Sequence, residues 1–337
     1  MSNLEKINIY VPPQIVQTLD YDAGMFEIFK KDMQTINRNK FLTMLILGYH
    51  DAYVSERHRT QETIGSILSA VCSDKAQAYD LSREILNSAF LPESPYRYVK
   101  NSAHLSLKPT NDLEPLIYDI FNELDGDSVS QYFCNMLISY CGKPFSKREQ
   151  IIFNYQYGYL LAACETGHAI SFSTNWNPKT VHHVIPYQIR TGRDEQFNYL
   201  LCAEIDSGQQ TAISYRLNRI TGIHNSRKTM KLNSDVKKYL DQMARLGPQY
   251  TINDKEEACI RLTDTGMISF KKIYSGRPVC DRIELRDGSY YYYFNCSKDQ
   301  LYLYFRRFNA NQAEILYPKT LRDKIIAFHR ESLKMYQ

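Results

Sequence analysis

Four consecutive segments of this sequence alternate apolar with polar residues: HAISFST (168–174), VHHVIPYQIR (181–190), QFNYLLCAEI (196–205) and TAISYRLNRITGI (211–223). Alternation with a period of two is typical of β-strands that bury one face. The residues that separate the segments favour turns, and they lie at 175–178, 191–194 and 206–208. Short, evenly spaced strands joined by such turns predict a small β-barrel.

Three motifs in this block resemble the WYL domain, an Sm-like β-barrel of bacterial regulators. They are PYQI (186–189) for the family's P-Y/L-x-L, NYLLCAEI (198–205) for its W-Y-L and hydrophobic run, and YRLNRI (215–220) for its F-R-L-D-R-I. The chain departs from the pattern at Asn198, where the family has tryptophan, so a ligand contact made by that ring is not carried over. The resemblance implies a WYL β-barrel domain at 153–228.

The remainder, 229–337, resembles the extension that commonly follows a WYL barrel. Its segment ILYPKTLR (315–322) corresponds to the family's closing hydrophobic-P-x-x-L-R motif, and SYYYYFNC (289–296) alternates like a strand of an α/β layer. Regulators of this kind are typically dimers. We therefore expect a homodimer that uses this C-terminal half and its tyrosine-rich strand.

The first part of the chain contains a repeated pattern. KINIYV (6–11) and AHLSLKP (103–109) both alternate like strands, and each precedes two segments of helical spacing, the first of which extends through Phe29. Asn37 is a candidate helix cap, and NKFLTMLILGYHDAYVSERHR (39–59) aligns in register with SQYFCNMLISYCGKPFSKREQ (130–150). Residues 1–152 thus resemble a ribbon-helix-helix module duplicated at 6–56 and 103–152. The alternative is an all-helical bundle with accidental strand-like hexamers.

A duplicated module has a physical rationale, because one copy leaves a strand edge and an apolar helix face open. We therefore predict that Ile7–Val11 and Leu105–Lys108 pair antiparallel within one chain. The fold class expected for the whole chain is α+β and multidomain: the ribbon-helix-helix-like module, the barrel and the C-terminal extension.

Charge is distributed unevenly along the sequence. Residues 1–152 contain 15 basic and 19 acidic residues, whereas 153–337 contain 26 basic and 18 acidic residues. If a polyanion binds, the second half is therefore where it is expected to lie. Arginine and tyrosine suit phosphates and stacked bases, and matching family positions form such a surface. The candidate binding residues are His182, His183, Tyr187, Arg190, Arg193, Tyr199, Tyr215, Arg216 and Arg219.

The competing explanation for the arginines is structural: Arg216 and Arg219 would pair with Glu204 or Asp206 and tie the barrel together. A second candidate surface is the polar face of the two N-terminal strands, which in ribbon-helix-helix proteins enters the DNA major groove. Its residues are Lys6, Asn8, Tyr10, His104, Ser106 and Lys108. The acidic balance of this region, with Asp125 and Asp127 beside a helix start, opposes DNA binding and favours a structural remnant.

Several function classes are not supported by the sequence. It contains no P-loop, HExxH or GxSxG motif and no paired-carboxylate context, so we expect no enzyme and no cofactor. Its eight cysteines form no CxxC pair, which predicts reduced thiols and no zinc or other metal site. No apolar run reaches the ~20 residues of a membrane span, and MSNLEKINIY lacks a leader pattern. The expected location is the cytoplasm.

The combination of a ribbon-helix-helix-like front with a WYL barrel resembles the WYL accessory proteins encoded beside type VI-D CRISPR RNA-guided ribonucleases. This resemblance implies single-stranded RNA binding and stimulation of the partner ribonuclease without catalysis. The alternatives are a DNA-binding repressor whose barrel senses a nucleotide or oligonucleotide ligand, and a pure dimerisation scaffold.

Overall fold

The computed structural model describes residues 5–72, 74–88, 103–124 and 129–337. The chain divides into two units, Met1–Tyr155 and Gln156–Gln337. The first mixes helices with a two-stranded sheet, and the second mixes helices with two larger antiparallel sheets. Within the described ranges, no helix combines the length and the apolar character needed to cross a membrane.

The first unit is mainly helical. In chain order its elements are β1 (Ile7–Val11), α1 (Pro13–Met25), α2 (Arg38–Ser69), α3 (Lys75–Ser88), β2 (Ala103–Leu107), α4 (Glu114–Glu123), α5 (Val129–Cys141) and α6 (Phe145–Ile152).

The two strands of this unit form a ribbon. β1 and β2 pair antiparallel, with Ile7 opposite Leu107 and Ile9 opposite Leu105, so the predicted pairing within one chain is confirmed. The all-helical alternative is wrong. Alternation turns the apolar side chains toward α1, α2 and α5 and leaves the polar ones exposed. The order strand–helix–helix therefore occurs twice, as β1–α1–α2 and as β2–α4–α5.

A buried ion pair connects three helices of this unit. Asp22 on α1 is fully buried, and both of its carboxylate oxygens accept hydrogen bonds from Arg148 on α6, at 2.6 and 2.9 Å. The hydroxyl of Tyr140 on α5 donates to the same carboxylate at 2.9 Å. Because a charge is costly to bury without a partner, these contacts fix how the three helices pack.

The helix boundaries follow from local chemistry. Asn37 caps α2 as predicted, since its side-chain oxygen accepts from the backbone N–H of Lys40 at 3.1 Å. The predicted extension of the first helix through Phe29 is wrong, because α1 ends at Met25. Glu27 has a positive φ of 61°, which a continuing helix does not allow, and Phe29 forms a β-bridge with Ile36.

The second unit holds the two larger sheets. Its first helix, α7 (Asn154–Thr166), begins two residues before the boundary between the units. The elements that follow are β3 (His168–Thr174), β4 (Asn177–Thr191), β5 (Asn198–Asp206), β6 (Gln209–Arg216), a 3-10 turn (Leu217–Arg219), β7 (Ile220–Thr229), α8 (Ser234–Leu246), β8 (Ala258–Leu262), α9 (Asp264–Lys272), β9 (Arg282–Arg286), β10 (Ser289–Phe294), α10 (Lys298–Phe305), β11 (Ala313–Tyr317) and α11 (Lys319–Lys334).

The five-stranded sheet has the strand order β6-β5-β4-β3-β7. The segment 211–223, predicted as one strand, is in fact two strands with the 3-10 turn between them. Leu217 and Asn218 are both buried, which consecutive residues of one half-exposed strand are not, and β7 then pairs with β3. No hydrogen-bonded ladder joins β6 to β7 in the described residues, so the sheet is rolled without forming a continuous ring.

The four-stranded sheet has the order β11-β8-β10-β9 and shares its core with the five-stranded sheet. Apolar residues of α8, among them Leu240 and Met243, pack in one cluster with Leu201 of β5 and Ile260 of β8. The tyrosine-rich strand β10 lies inside this sheet, between β8 and β9, whereas the edges are β9 and β11. Tyr290 and Tyr291 are half-buried and Tyr292 and Tyr293 are buried, so this strand offers no free edge to a second copy. The predicted division of this half at residue 228 stays a prediction.

Candidate functional site

Three of the predicted binding residues form a row across the rolled sheet. Arg190 on β4 lies opposite Tyr199 on β5, and Tyr199 lies opposite Arg216 on β6. Directly opposed residues in an antiparallel pair project from the same face. We call these three residues the cation row. One guanidinium group lies on each side of the tyrosine, which is only 7% exposed.

Neighbouring side chains hold the cation row in place. The Tyr199 hydroxyl donates to Glu195 at 2.8 Å, and Arg190 Nε donates to Gln188 at 3.0 Å. The guanidinium carbon of Arg216 lies 3.1 Å from the centroid of the Phe197 ring. Stacking on an aromatic ring leaves the edge of a guanidinium able to donate to an anion. Phe197 is fully buried, and sequence analysis did not identify it because its role depends on cross-strand register.

The carboxylates expected to pair with the arginines contact other side chains. Glu204 contacts His182 and Tyr215, and Asp206 accepts a hydrogen bond from the hydroxyl of its neighbour Ser207. The structural explanation for Arg216 and Arg219 stays a prediction.

Two other predicted residues, His182 and Tyr215, lie on the opposite face. Tyr215 precedes Arg216 in β6, so the two side chains project to different sides of the sheet. Glu204 Oε1 lies 2.6 Å from His182 Nδ1 and 2.9 Å from the Tyr215 hydroxyl. Burial, followed by the negative charge of Glu204, raises the pKa of Tyr215 far above its ordinary value. Tyr215 is therefore neutral at physiological pH, and the three side chains form a polar cluster within the fold.

This second face is the concave inside of the roll. Phe172 on β3 and Tyr215 on β6 are three strand spacings apart, which is about 14 Å in a flat sheet. Their ring centroids are nevertheless only 4.9 Å apart. The predicted set of nine residues is therefore not one surface, because His182 and Tyr215 fill the inside while the cation row lies outside.

The remaining predicted residues lie around these two groups. The Tyr187 hydroxyl donates to Asp241 on α8 at 2.6 Å, and burial, together with that carboxylate, raises the pKa of Tyr187 to about 12. This contact ties the sheet to a helix. His183 is exposed on β4, and Arg193 is exposed in the turn that follows it. Neither Arg190 nor Arg193 forms an ion pair with any carboxylate of the described residues, so both charges face solvent.

Arg219 lies at the 3-10 turn and contacts Trp176, which the sequence indicates only as part of a turn. Its guanidinium carbon lies 3.9 Å from the centroid of the Trp176 ring, and its carbonyl accepts from the backbone N–H of Asn175 at 3.0 Å. Trp176 is 70% exposed although it is the only tryptophan of the chain. A lone tryptophan in a two-residue hairpin loop was the signal available in the sequence.

Asn198, at the position of the family's tryptophan, is buried. Its side-chain oxygen accepts a hydrogen bond from the Thr191 hydroxyl at 3.1 Å, across the β4–β5 pair. The position is therefore part of the sheet interior and offers no side chain to a ligand.

The alternative surface on the ribbon is also formed. Its six residues Lys6, Asn8, Tyr10, His104, Ser106 and Lys108 are all exposed on one face of the β1–β2 pair. His104 Nε2 lies 2.9 Å from Asn8 Oδ1, and the Tyr10 and His104 rings are 5.4 Å apart. Asn39 at the start of α2 hydrogen-bonds both the backbone N–H and the carbonyl of Lys108. Asp125 and Asp127 lie outside the described residues.

Comparisons with known proteins show a shared fold. No protein-family model and no curated protein matches the chain. A solved structure described as a CRISPR Cas-related protein superposes with a TM-score of 0.70 at 17% identity, covering 100% of this chain and 95% of that chain. Proteasome accessory factor B/C (PafBC) of Arthrobacter aurescens gives a TM-score of 0.22 at 14% identity, over 51% of this chain and 26% of that chain. The first comparison shows a shared fold along the whole length, and the second supports no argument.

Proposed function

We propose that this protein is a CRISPR-associated, non-catalytic regulator that binds single-stranded RNA and stimulates a partner type VI-D CRISPR ribonuclease. The observation that carries the proposal is the cation row, in which Arg190, Tyr199 and Arg216 present two positive charges on one face of the sheet. The fold shared with a CRISPR Cas-related protein supports the CRISPR association.

In this proposal three parts of the chain correspond to domains of the family. The rolled sheet of β3 to β7 is the WYL-type, Sm-like barrel, and the paired strands of the first unit are a ribbon-helix-helix module within one chain. The four-stranded sheet and α11 form the extension through which two copies associate, and the protein acts in the cytoplasm.

The charges favour a polyanion over an uncharged ligand. The second half of the chain has eight more basic than acidic residues, and Arg190 of the cation row and Arg193 in the turn that follows β4 are both exposed. Arginine donates in parallel to two phosphate oxygens, and a guanidinium also stacks on bases. A single strand offers both groups together, whereas a duplex keeps its bases stacked inside.

The direct test is a titration of fluorescently labelled single-stranded RNA, followed by anisotropy at several salt concentrations. Each neutralised phosphate contributes a slope of about −0.7 to the log–log dependence of affinity on salt. Replacing both exposed arginines, Arg190→Ala with Arg193→Ala, should reduce the magnitude of this slope by about 1.4. The matched control is Lys319→Ala with Arg330→Ala on α11, which changes the net charge equally and should leave the slope unchanged.

Stimulation of the partner ribonuclease is tested separately. Adding the protein to an RNA-guided type VI-D ribonuclease should raise the rate of RNA cleavage, and the arginine variant should raise it less. The protein alone should leave the same RNA intact. Cleavage by the protein alone, or absence of RNA binding at low salt, would refute the proposal.

A second candidate function is supported by the exposed polar face of the ribbon. Paired strands with side chains such as Lys6, Asn8 and Lys108 on one face are the element with which ribbon-helix-helix repressors read DNA. If the protein is a DNA-binding repressor whose barrel senses a nucleotide, Lys6→Ala with Asn8→Ala should abolish duplex DNA binding. In the RNA-binding proposal the same variant leaves RNA affinity unchanged.

A further inference from the structure

The β3–β4 hairpin presents an aromatic ring to solvent at its tip. β3 and β4 pair until Thr174 and Asn177, so Asn175 and Trp176 are the two loop residues. The side-chain hydroxyl of Thr174 accepts from the backbone N–H of Asn177 at 3.3 Å, which closes the loop. An indole that is 70% exposed buries little of its apolar surface, so folding alone gives no reason for this residue here.

The ring is held from one side. The Arg219 guanidinium carbon lies 3.9 Å from its centroid, which is the separation of two stacked planar groups. The Arg219 carbonyl also binds the backbone N–H of Asn175, so the 3-10 turn and the hairpin tip are joined through both backbone and side chain. The indole is thus an oriented plane with a cation on one face.

The position of this plane relative to the cation row is set by the chain. Arg216 ends β6, and Arg219 follows it across a 3-10 turn that rises about 2 Å per residue. The backbone of Arg219, whose side chain supports the plane, therefore lies about 6 Å along the turn from the arginine that closes the row. A flat, exposed ring beside groups suited to phosphate is the combination found where proteins bind unpaired nucleotides.

We infer that Trp176, supported by Arg219, is a stacking platform for one unpaired nucleobase of a bound single strand. The inference deepens the proposed function and rests on it, since the RNA must first be bound. The base lies on the indole face opposite Arg219, while its phosphates approach the cation row. Stacking accepts any base, so the platform adds affinity without selecting a sequence.

The chain provides its own probe for this contact, because Trp176 is the only tryptophan. Intrinsic fluorescence, excited at wavelengths that tyrosine does not absorb, therefore reports this ring alone. Titration with single-stranded RNA should quench the emission in parallel with the binding measured by anisotropy. A strand of the same length with abasic sugars should bind through its phosphates without quenching.

Substitution gives an independent measurement. Trp176→Leu should weaken RNA binding about 5- to 150-fold, the change that corresponds to ~1–3 kcal/mol for one stacked base. The loss should persist at high salt, because stacking does not release counterions. The matched control is Tyr274→Leu, which removes an aromatic ring that is 76% exposed in the same unit and should change affinity little.

The possible outcomes separate the inference from the proposed function. If anisotropy shows RNA binding while the tryptophan emission stays constant, the platform is wrong and the proposed function stands. Equal quenching by the abasic strand also overturns the platform. If the labelled RNA does not bind at all, the proposed function fails, and the platform fails with it.

Discussion

At the scale of single residues, neighbours in the sequence have separate tasks. Tyr215 projects into the concave side of the roll, where it contacts Glu204 and His182, whereas Arg216 projects outward over Phe197. Since strand geometry alone separates them, a substitution at one need not affect the role of the other. Stability and ligand binding are therefore measurable independently at adjacent positions.

The first prediction uses this pair. Tyr215→Phe removes a hydroxyl that hydrogen-bonds in a half-buried cluster, so it should lower the free energy of unfolding by about 1 kcal/mol. RNA affinity should not change. Arg216→Ala serves as the comparison and should weaken RNA binding. Urea denaturation and RNA anisotropy measure the two quantities, and a Tyr215→Phe variant with native stability but lost binding would contradict the assignment.

A second prediction at this scale concerns pH. Asp32, in the loop between α1 and α2, accepts from the Thr35 hydroxyl at 2.6 Å and from the backbone N–H groups of Thr35 and Gln34. These hydrogen bonds lower the pKa of its carboxyl from 3.8 to about 2. The stabilisation of the loop by this carboxylate is complete above pH 3.8 and is lost as the pH falls through about 2.

The measurement is an NMR titration of the Asp32 carboxyl carbon. Thr35→Val removes the hydroxyl and should raise the pKa of Asp32 toward 3.8. Lys31→Ala, which keeps all three donors, should leave the pKa at about 2. A pKa that does not respond to Thr35→Val would show that the hydroxyl is not its main cause.

At the scale of helices and strands, the first unit depends on one buried charge pair. Asp22, Arg148 and Tyr140 join α1, α6 and α5 by hydrogen bonds of 2.6–2.9 Å. Close packing elsewhere in the unit leaves little room for adjustment. At Gly48 on α2, for example, an added Cβ would overlap the carbonyl oxygen of Ile151 on α6. α6, which carries Arg148, therefore has little room to move toward α2.

The third prediction is a matched pair of substitutions on α1. Asp22→Ala leaves the Arg148 guanidinium buried without its partner and should lower the free energy of unfolding by about 3–5 kcal/mol. Asp20→Ala breaks the partly exposed pair with Arg38 and should cost less than about 1 kcal/mol. Chemical denaturation of the full chain compares them. Equal effects would show that the buried pair adds nothing specific.

Sequence patterns predicted the elements better than the contacts between them. The ribbon was predictable because Ile7, Ile9, Leu105 and Leu107 alternate cleanly with polar residues. The break after Arg216 was not, since Leu217 and Asn218 continue the same alternation and only their joint burial reveals the turn. The cation row and its Phe197 support depend on cross-strand register, which a β-bulge between Pro186 and Gln188 shifts by one residue. Trp176 was hidden because turn composition explained its neighbours.

At the scale of the whole molecule, the charge asymmetry coincides with the division into units. Residues 153–155 are uncharged, so the unit ending at Tyr155 has a net charge of −4 and the second unit +8. The cation row and Trp176 both belong to the positive unit. Long-range attraction therefore directs a polyanion to the unit that carries the candidate site.

The fourth prediction concerns assembly. We expect a homodimer formed by the C-terminal half. The strand expected at its interface is the edge strand β9 and not the internal strand β10. Ile283 and Leu285 on β9 are 54% and 66% exposed, and an uncovered edge with apolar side chains favours pairing. Light scattering should give twice the chain mass. Ile283→Lys with Leu285→Lys should give a folded monomer, whereas a monomeric unmodified protein at micromolar concentration would contradict the prediction.

The ribbon has a consequence for how the protein is made. β1 lies near the N-terminus, and its partner β2 follows about one hundred residues later, because Ile7 pairs with Leu107. At about 5–20 residues per second, a ribosome needs ~5–20 s to deliver the second strand after the first. Throughout that interval β1 has no native partner, and a nascent chain interrupted before residue 107 cannot complete its first sheet. The rate at which the residues between β1 and β2 are translated thus sets how long the unpaired edge of β1 is exposed in the cell.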